Sequence, residues 1–336
     1  MLFFKNDYFD IAEKGILEAL QKANDEKNVG YGFDKHSEDG RKAIKKLLRS
    51  DDIDIHFIPG GTSANILGAT QGLRSQDSII AATTGHINVH EAGAMEATGH
   101  RIETILTEDG KLSPSLLEEK LSDFNNEYLT KPKLIYISNT TELGGVYKKK
   151  ELEAIYAYAK ENDLYLYIDG ARMAHALASD FCDYTYEDLV GFADIFTLGG
   201  TKNGLMFGEA MVIVNEDLKK NFMNLIKQKG AMMAKGFILG IQYDYMINSG
   251  KYEENAKKAY EAAEKLYRVF EGKGYEFCHK FESNQLFVLV EKSKYEELRS
   301  SVEAEKSGEV DGKVIMRFVT TYRTSDDEIA ELEKLL

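Results

Sequence analysis

The chain has 336 residues, and its excess of acidic over basic side chains gives a formal net charge of −14. Because nucleic-acid binding needs a basic surface to neutralise phosphates, this charge argues against a nucleic-acid partner. No stretch approaches the apolar length of a membrane-spanning helix, so we expect no membrane partner either. The length favours two domains or one large α/β domain.

The opening residues, "MLFFKNDYFD", carry neither a basic lead nor a long apolar core. We therefore expect no signal peptide. Two cysteines, Cys182 and Cys278, lie far apart and match no metal-binding or redox spacing. Free thiols of this kind are typical of a reducing compartment, so we expect a cytoplasmic protein without a metal site.

Seven short apolar runs predict β-strands in the first two thirds of the chain. Most of these runs are separated by segments with apolar positions three and four apart, such as "KKELEAIYAYAKEN", which predict helices. This alternation is typical of a mostly parallel sheet with helices on both faces. The predicted strands span residues 53–59, 78–82, 101–106, 133–138, 164–169, 194–200 and 209–214.

The pattern changes after residue 215. A charged amphipathic helix is predicted over residues 252–274, and the short apolar runs "YEFCHK", "NQLFVLV" and "KVIMRFV" follow it, with a closing helix at the end of the chain. We expect a large α/β domain over residues 1–240, which includes the N-terminal segment, and a small α+β domain over residues 241–336.

Glycines and hydroxyl side chains follow the first predicted strand in the sequence "PGGTSANILGA". Gly61 permits a tight turn, and Thr62 and Ser63 lie where the next helix begins. Backbone N–H groups at a helix start, together with the helix dipole, can hold a phosphate group. An ordinary turn with an N-cap has the same sequence, so both interpretations stay open here.

His86 follows the second predicted strand, in the sequence "TTGHINVHEAG". An imidazole at a strand end can stack on a planar cofactor or transfer a proton. The alternative is a structural histidine with hydrogen-bond partners in the protein.

Two later strands also end at charged side chains. One stops at Asp169, with Arg172 three residues further on, and the next ends at a Gly-Gly pair that precedes Lys202. A salt-bridged loop and a solvated lysine are the structural alternatives. Together with the glycine-rich turn and His86, however, these residues fit pyridoxal 5′-phosphate (PLP). That cofactor needs a phosphate site, a stacking group, a carboxylate for its ring nitrogen and a lysine for its aldehyde.

Across nearly its whole length the chain resembles the fold-type-I PLP enzymes of the β-eliminating lyase and threonine aldolase group. The resemblance rests on "NVGYGFDKHSEDG", "FIPGGTSANILGA", "GHINVHEAGAMEATGH", "LYLYIDGARMAHAL", "LGGTKNG" and "IMRFVTTYRTSDDEI". It implies the aspartate aminotransferase-type fold, with a mostly parallel seven-stranded sheet in the large domain and a small C-terminal α+β domain.

The resemblance also implies cofactor-binding roles. Lys202 would be the Schiff-base lysine, Asp169 the partner of the ring nitrogen, and His86 the group stacked on the ring. Arg172 would lie at the ring hydroxyl or on the substrate side. The phosphate would be held by Gly61, Thr62 and Ser63.

Further residues are implied to contact the substrate or a neighbouring subunit. Arg317 would bind the substrate α-carboxylate, for which a planar guanidinium is well suited. Tyr31 and Lys235 belong to stretches that approach the cofactor of the neighbouring subunit in this family. A homodimer, or a tetramer of such dimers, is therefore implied.

Two positions depart from the threonine aldolase pattern. Asn6 replaces the serine of an N-terminal Ser-Asp-Thr element, and Thr141 replaces a histidine that is placed to contact the substrate's side-chain hydroxyl. We keep Asn6 and Thr141 as candidate substrate-binding residues, and we expect weaker threonine cleavage than in enzymes that carry the histidine.

The resemblance implies cleavage of a β-hydroxy-α-amino acid, such as threonine or allo-threonine, to glycine and an aldehyde. His86, or a water that it positions, is the candidate base for the β-hydroxyl proton. The alternatives are β-elimination from another amino acid, with Lys202 removing the α-proton, and a PLP-binding protein without catalytic activity.

Overall fold

The computed structural model describes all 336 residues and places the seven predicted strands in one sheet. The strand order is β2-β8-β7-β6-β5-β3-β4, with β8 antiparallel to both neighbours and every other adjacent pair parallel. The predicted mostly parallel sheet is therefore confirmed. Its strands are β2 (Asp54–Ile58), β3 (Asp77–Ala82), β4 (Ile102–Ile105), β5 (Lys131–Ser138), β6 (Tyr165–Asp169), β7 (Ile195–Gly199) and β8 (Glu209–Ile213).

Helices cover both faces of this sheet, because alternate strand residues point to opposite sides and both sides are apolar. In β6, Leu166 and Ile168 belong to one core cluster while Tyr167 belongs to the cluster on the other face. The helices are α1 (Lys14–Lys22), α2 (Lys35–Leu48), α3 (Gly61–Thr70), α4 (His86–Val89), α5 (Pro114–Ser122), α6 (Lys149–Glu161), α7 (Met173–Leu177), α8 (Glu216–Lys219), α9 (Phe222–Gln228) and α10 (Phe237–Asn248).

The C-terminal part forms a four-stranded antiparallel sheet of order β12-β13-β10-β9, which confirms the predicted small α+β domain. The short strand β1 (Leu2–Phe3) pairs with β11 (Val302–Glu303), so the N-terminus packs against this part. The remaining elements are β9 (Glu276–Phe277), β10 (Gln285–Glu291), β12 (Glu305–Val310) and β13 (Lys313–Val319), with helices α11 (Lys251–Gly272), α12 (Lys292–Leu298) and α13 (Asp326–Leu335).

The buried face of helix α11 packs into the cores of both parts. Ala256, near its start, belongs to the core of the large sheet, whereas Ala263 and Phe270 belong to the core of the small sheet. The predicted division after residue 240 falls inside α10, and it stays a prediction. Cys182 and Cys278 form no disulfide, and none of the helices has both the length and the apolar character needed to span a membrane.

The strand register brings polar residues to one edge of the large sheet. Ser138, at the end of β5, lies opposite Asp169 at the end of β6. Glu209 begins the antiparallel strand β8 and lies between Gly199 and Ile58, the last residues of its two neighbours. Ligands of α/β sheets bind beyond the carboxyl ends of parallel strands, so this edge is where a site is expected.

Candidate active site

A cavity of about 500 Å³ opens at this edge, between the large sheet and the small domain. Only three of its twenty lining residues are hydrophobic, which suits a polar and charged ligand. The structure brings together seven of the residues predicted from the sequence: Gly61, Thr62, His86, Asp169, Arg172, Lys202 and Arg317.

Three donors fix the carboxylate of Asp169 at the end of β6. Its Oδ2 accepts hydrogen bonds from the Tyr136 hydroxyl at 2.6 Å and from Asn65 Nδ2 at 2.9 Å. Its Oδ1 accepts one from the backbone N–H of Ala171 at 3.0 Å. The carboxylate therefore has one orientation, as a partner for a fixed cationic group requires.

His86 is tied to the same network through Asn65. The Asn65 amide donates to Glu91 Oε1 at 2.6 Å as well as to Asp169, and Glu91 Oε1 lies 2.8 Å from His86 Nδ1. Burial by itself would lower the pKa of His86, but the hydrogen bond to Glu91 and the charges of Glu142 and Asp169 raise that pKa above its ordinary value. The ring is thus oriented from its Nδ1 side and has a strengthened tendency to be protonated.

Lys202 lies in a 3₁₀ turn, Thr201–Asn203, directly after β7. Burial, reinforced by the positive charge of Arg172, lowers the pKa of Lys202. A lysine with a lowered pKa has a larger fraction of the neutral amine, which is the form that attacks an aldehyde carbon.

The start of α3 faces open space in the cavity. A Cβ atom added at Gly60 or Gly61 would meet no other atom within 4 Å, so the cavity reaches the backbone at this helix start. Thr62 and Thr201 also line the wall. Free backbone N–H groups, hydroxyls and the positive end of the helix dipole form a site for an anion such as phosphate.

Glu209 is a buried carboxyl group in the cavity wall. It accepts hydrogen bonds from the Thr201 hydroxyl at 3.0 Å and from the backbone N–H of Gly200 at 3.2 Å. Burial raises the pKa of Glu209 to about 8, despite the opposing charge of Lys202. The carboxyl group is therefore mostly protonated at neutral pH, which lowers the negative charge beside the anion site.

This raised pKa predicts a change in stability with pH that Glu209→Gln should remove. The ordinary pKa is 4.5, so between pH 4.5 and 8 the folded chain holds a proton that the unfolded chain has released. This proton's contribution to the unfolding free energy is fully present below pH 4.5 and is lost as the pH rises through 8, by about 1.4 kcal/mol per pH unit. We expect wild-type protein, stripped of small molecules, to lose roughly 2 kcal/mol more unfolding free energy than the variant between pH 6 and pH 8 in urea titrations. Equal losses in the two proteins would show that Glu209 is ionised.

Arg172 is held by a buried carboxylate. Its Nε and Nη2 donate to the two oxygens of Asp7 at 2.7 and 3.1 Å. Burial alone would raise the pKa of Asp7, but the charges of Arg172 and Lys202 hold that pKa well below its usual range. Arg172 is therefore salt-bridged to a distant residue and not to Asp169 in its own loop, and its predicted ligand contact stays a prediction.

Arg317, on β13, lies directly opposite Glu305 on the edge strand β12, and its Nη2 donates to the Glu305 carboxylate. Its Nε is buried without a hydrogen-bond partner. Both side chains line the cavity. Arg317 therefore has unused hydrogen-bonding capacity next to the ligand space.

Five predicted site residues lie outside the wall of this cavity: Asn6, Tyr31, Ser63, Thr141 and Lys235. Asn6 accepts a hydrogen bond from the backbone N–H of Tyr8, which does line the cavity. Thr141 is buried in its own loop, where its hydroxyl donates to Asp109 O and accepts from Gly145 N, both at 3.0 Å. The predicted roles of these residues stay predictions.

Tyr31 and Lys235 lie together on another surface. The backbone N–H of Tyr31 donates to Ala234 O at 3.1 Å, and the Lys227 ammonium lies 4.8 Å from the centroid of the Tyr31 ring. Val29 and Phe33, on either side of Tyr31, are also exposed.

The structure adds residues that the sequence did not indicate. Asn65 lies four residues after Gly61, one helical turn along α3, and that spacing could have identified it. No local sequence pattern indicated that Glu142, Glu209 and Glu305 would line the cavity. The added wall residues with polar side chains are Tyr8, Asn65, His90, Ser138, Thr140, Glu142, Thr201, Glu209 and Glu305.

The chain is similar in sequence to one protein family and to relatives that share one name. The family model described as "Beta-eliminating lyase" matches residues 12–293. The low specificity L-threonine aldolase of Pseudomonas sp. (strain NCIMB 10558) is 32% identical over 287 residues, which cover 84% of this chain and 82% of the relative. The enzyme of the same name from Escherichia coli K12 is 24% identical over 281 residues, which cover 82% of this chain and 81% of that enzyme.

Two solved structures have the same fold as this chain. The threonine aldolase of Leishmania major has a TM-score of 0.98 and 40% identity, covering 100% of this chain and 98% of that one. An aspartate aminotransferase of Thermus thermophilus has a TM-score of 0.74 at 14% identity, covering 100% of this chain and 90% of the other. The predicted aspartate aminotransferase-type fold is confirmed.

Proposed function

Because the chain belongs to the β-eliminating lyase family, we propose that it is a PLP-dependent lyase that cleaves threonine or allo-threonine to glycine and an aldehyde. The threonine aldolases with 32% and 40% identity support this substrate class. The observation that carries the proposal is the convergence of Lys202, the fixed Asp169 carboxylate, His86 and the α3 helix start on one cavity.

The residues present fit PLP. Lys202 would hold its aldehyde carbon, Asp169 its ring nitrogen and His86 its ring face. The phosphate would lie at Gly61 and Thr62, where open space adjoins the start of α3. When bound, PLP accepts the electron pair released at the substrate α-carbon as a bond to that carbon breaks.

The chain's own residues would orient the cofactor, bind the substrate carboxylate and take up the β-hydroxyl proton. Asp169 would face the ring nitrogen with its carboxylate, and hydrogen bonds from Tyr136 and Asn65 prevent that group from turning away. Arg317 offers its guanidinium to the substrate α-carboxylate, which would replace Glu305 as its partner. A base in the cavity must take the β-hydroxyl proton, and the sequence predicts His86 or a water that it positions.

Product analysis tests the proposal. PLP-loaded protein is incubated with a panel of amino acids that includes threonine, allo-threonine, serine and cysteine. Release of glycine with an aldehyde supports aldol cleavage. Pyruvate or another keto acid with ammonia would instead show β-elimination. Bound PLP without turnover of any amino acid would show a catalytically silent protein.

We also propose a homodimer, or a tetramer of such dimers, in the cytoplasm. The exposed apolar side chains of Val29, Tyr31 and Phe33 support a subunit contact at this surface, since adjacent apolar groups on a surface favour association. Lys235, next to Tyr31 in space, would then approach the cofactor of the neighbouring subunit. The free thiols favour a reducing compartment.

Replacing Arg317 by alanine should mainly raise the KM for the amino acid. A charge-assisted hydrogen bond contributes roughly 1.5–3 kcal/mol, so we expect an increase of roughly ten- to a hundredfold with PLP retained. Steady-state kinetics on threonine and the absorbance of bound cofactor measure the two effects. Arg323→Ala, at an exposed arginine outside the cavity, is the matched control. An unchanged KM in Arg317→Ala would assign the carboxylate to Arg172 instead.

A further inference from the structure

Four carboxylic acids line the cavity, and three of them have partners in the protein. Asp169 accepts hydrogen bonds from Tyr136 and Asn65. Glu209 accepts hydrogen bonds from Thr201 and Gly200. Glu305 accepts a hydrogen bond from Arg317. Glu142 also lines the cavity but makes no hydrogen bond or ion pair with the rest of the chain. It is therefore the one carboxylate of the wall that has no partner within the chain.

The charge of Glu142 acts on three cationic or titratable groups of the site. Burial works to lower the pKa of His86, of Arg172 and of Lys202, and the negative charge of Glu142 is among the influences that raise each of them. Glu142 thus combines an open position in the cavity wall with proximity to the lysine expected to hold the cofactor.

The loop that carries Glu142 is fixed by its neighbour Thr141. The Thr141 N–H donates to Gly145 O at 2.8 Å, and the Gly144 N–H donates to Thr141 O at 2.9 Å. The Thr141 hydroxyl closes the loop further through Asp109 O and Gly145 N. A loop closed in this way holds the next side chain in place, because its backbone has little freedom to move.

Glu142 also lies close to the segment that carries His86. Together with Thr84 and Gly85 it lines a small crevice beside the main cavity. The resemblance implies a histidine at position 141 in threonine aldolases, but this chain has Thr141, whose hydroxyl is bound within the loop. The adjacent residue, Glu142, reaches the cavity instead.

We propose that Glu142 is a catalytic residue of this reaction, the general base that accepts the proton of the substrate's β-hydroxyl group. This inference rests on the proposed function. As the hydroxyl O–H bond breaks, its electron pair forms the C=O bond of the aldehyde, and the Cα–Cβ bond breaks with its electron pair left on the α-carbon. A proton then adds to that carbon to give glycine. No oxidant or reductant is needed.

His86 has a different partner in the structure. Its Nδ1 lies 2.8 Å from Glu91 Oε1, which orients the ring from that side. A position facing the cofactor ring, as the resemblance implies, agrees with this contact.

The test compares two reactions of the PLP-loaded protein. Cleavage of threonine needs a base at the β-hydroxyl, whereas exchange of the α-proton of glycine in D₂O uses the same cofactor site but no hydroxyl. We expect Glu142→Gln to lower kcat/KM for threonine by about a hundredfold, because an amide accepts a hydrogen bond but not a proton. Glycine exchange, followed by NMR, should stay within a few-fold of wild type.

Glu108→Gln is the matched control, since it removes an exposed carboxylate near the same loop but outside the main cavity. Equal losses of cleavage and exchange in Glu142→Gln would assign Glu142 a structural role and overturn the inference. Full threonine cleavage by that variant would overturn it as well. A wild-type protein that exchanges glycine protons yet releases no aldehyde from any β-hydroxy amino acid would overturn the proposed function itself, and this role with it.

Discussion

Replacing Lys202 by alanine should abolish covalent attachment of PLP and lower turnover by roughly a thousandfold or more. Lys202 directly follows β7, lines the cavity with Asp169 and has a pKa lowered by burial and by the charge of Arg172. Each of these features favours a neutral amine that can bond to an aldehyde carbon. No other lysine lines this cavity.

The measurement is reduction of the loaded protein with borohydride, followed by peptide mapping. We expect the cofactor mass on the peptide that contains Lys202 in wild type, and on no peptide in the variant. Lys235→Ala is the informative control, because Lys235 is the other lysine that the sequence associates with the cofactor. Cofactor mass on Lys235, or on any lysine other than Lys202, would refute the site arrangement proposed here.

The positions of these residues could be predicted because parallel strands impose a simple rule. Their carboxyl ends meet at one edge of the sheet, so polar residues that interrupt apolar strands become neighbours in space. The strand at 164–169 ends at Asp169 and the strand at 194–200 ends just before Lys202, and both were found from apolar runs alone. The positions of Asp169 and Lys202 at this edge of the sheet could therefore be predicted from the sequence.

The acidic part of the wall was not predictable in this way. Glu209 reaches the site because β8 inserts antiparallel between β2 and β7, which brings its first residue to the edge where the other strands end. Glu305 reaches it through pairing with Arg317 across two strands of the small sheet. Both depend on which strands become neighbours in the sheets, and the apolar runs along the chain do not indicate that order.

Pairing over long sequence distances also gives Arg172 a partner that the sequence did not indicate. The structure shows a bidentate salt bridge to Asp7, 165 residues away, while the predicted ligand contact of Arg172 stays a prediction. Asp7 belongs to the N-terminal segment, whose contacts with the rest of the chain have no periodic pattern. The predicted substrate contact of Thr141 stays a prediction, and the direction of its side chain depends on hydrogen bonds to Asp109 and Gly145, which no sequence pattern indicates.

Asp169→Asn is the second change with a large expected effect. The variant should still bind PLP, because Lys202 and the start of α3 are unchanged, but it should lose most of its turnover. A neutral amide cannot hold the proton on the ring nitrogen, so the ring would accept electrons less readily. Three donors surround this carboxylate, from Tyr136, Asn65 and Ala171, and an amide N–H₂ group would face at least one of them. We therefore also expect a loss of stability of about 1–3 kcal/mol.

Two comparisons separate the lost charge from the disturbed hydrogen bonds. Tyr136→Phe removes one donor but leaves the carboxylate charged, so its activity should fall much less than that of Asp169→Asn. Glycine α-proton exchange should fall together with threonine cleavage in Asp169→Asn, because both reactions place an electron pair on the α-carbon. Glu142→Gln should lose cleavage alone. Cofactor absorbance, proton exchange by NMR and aldehyde release measure the three quantities, and near-normal turnover of Asp169→Asn would show that the ring nitrogen is protonated by another group.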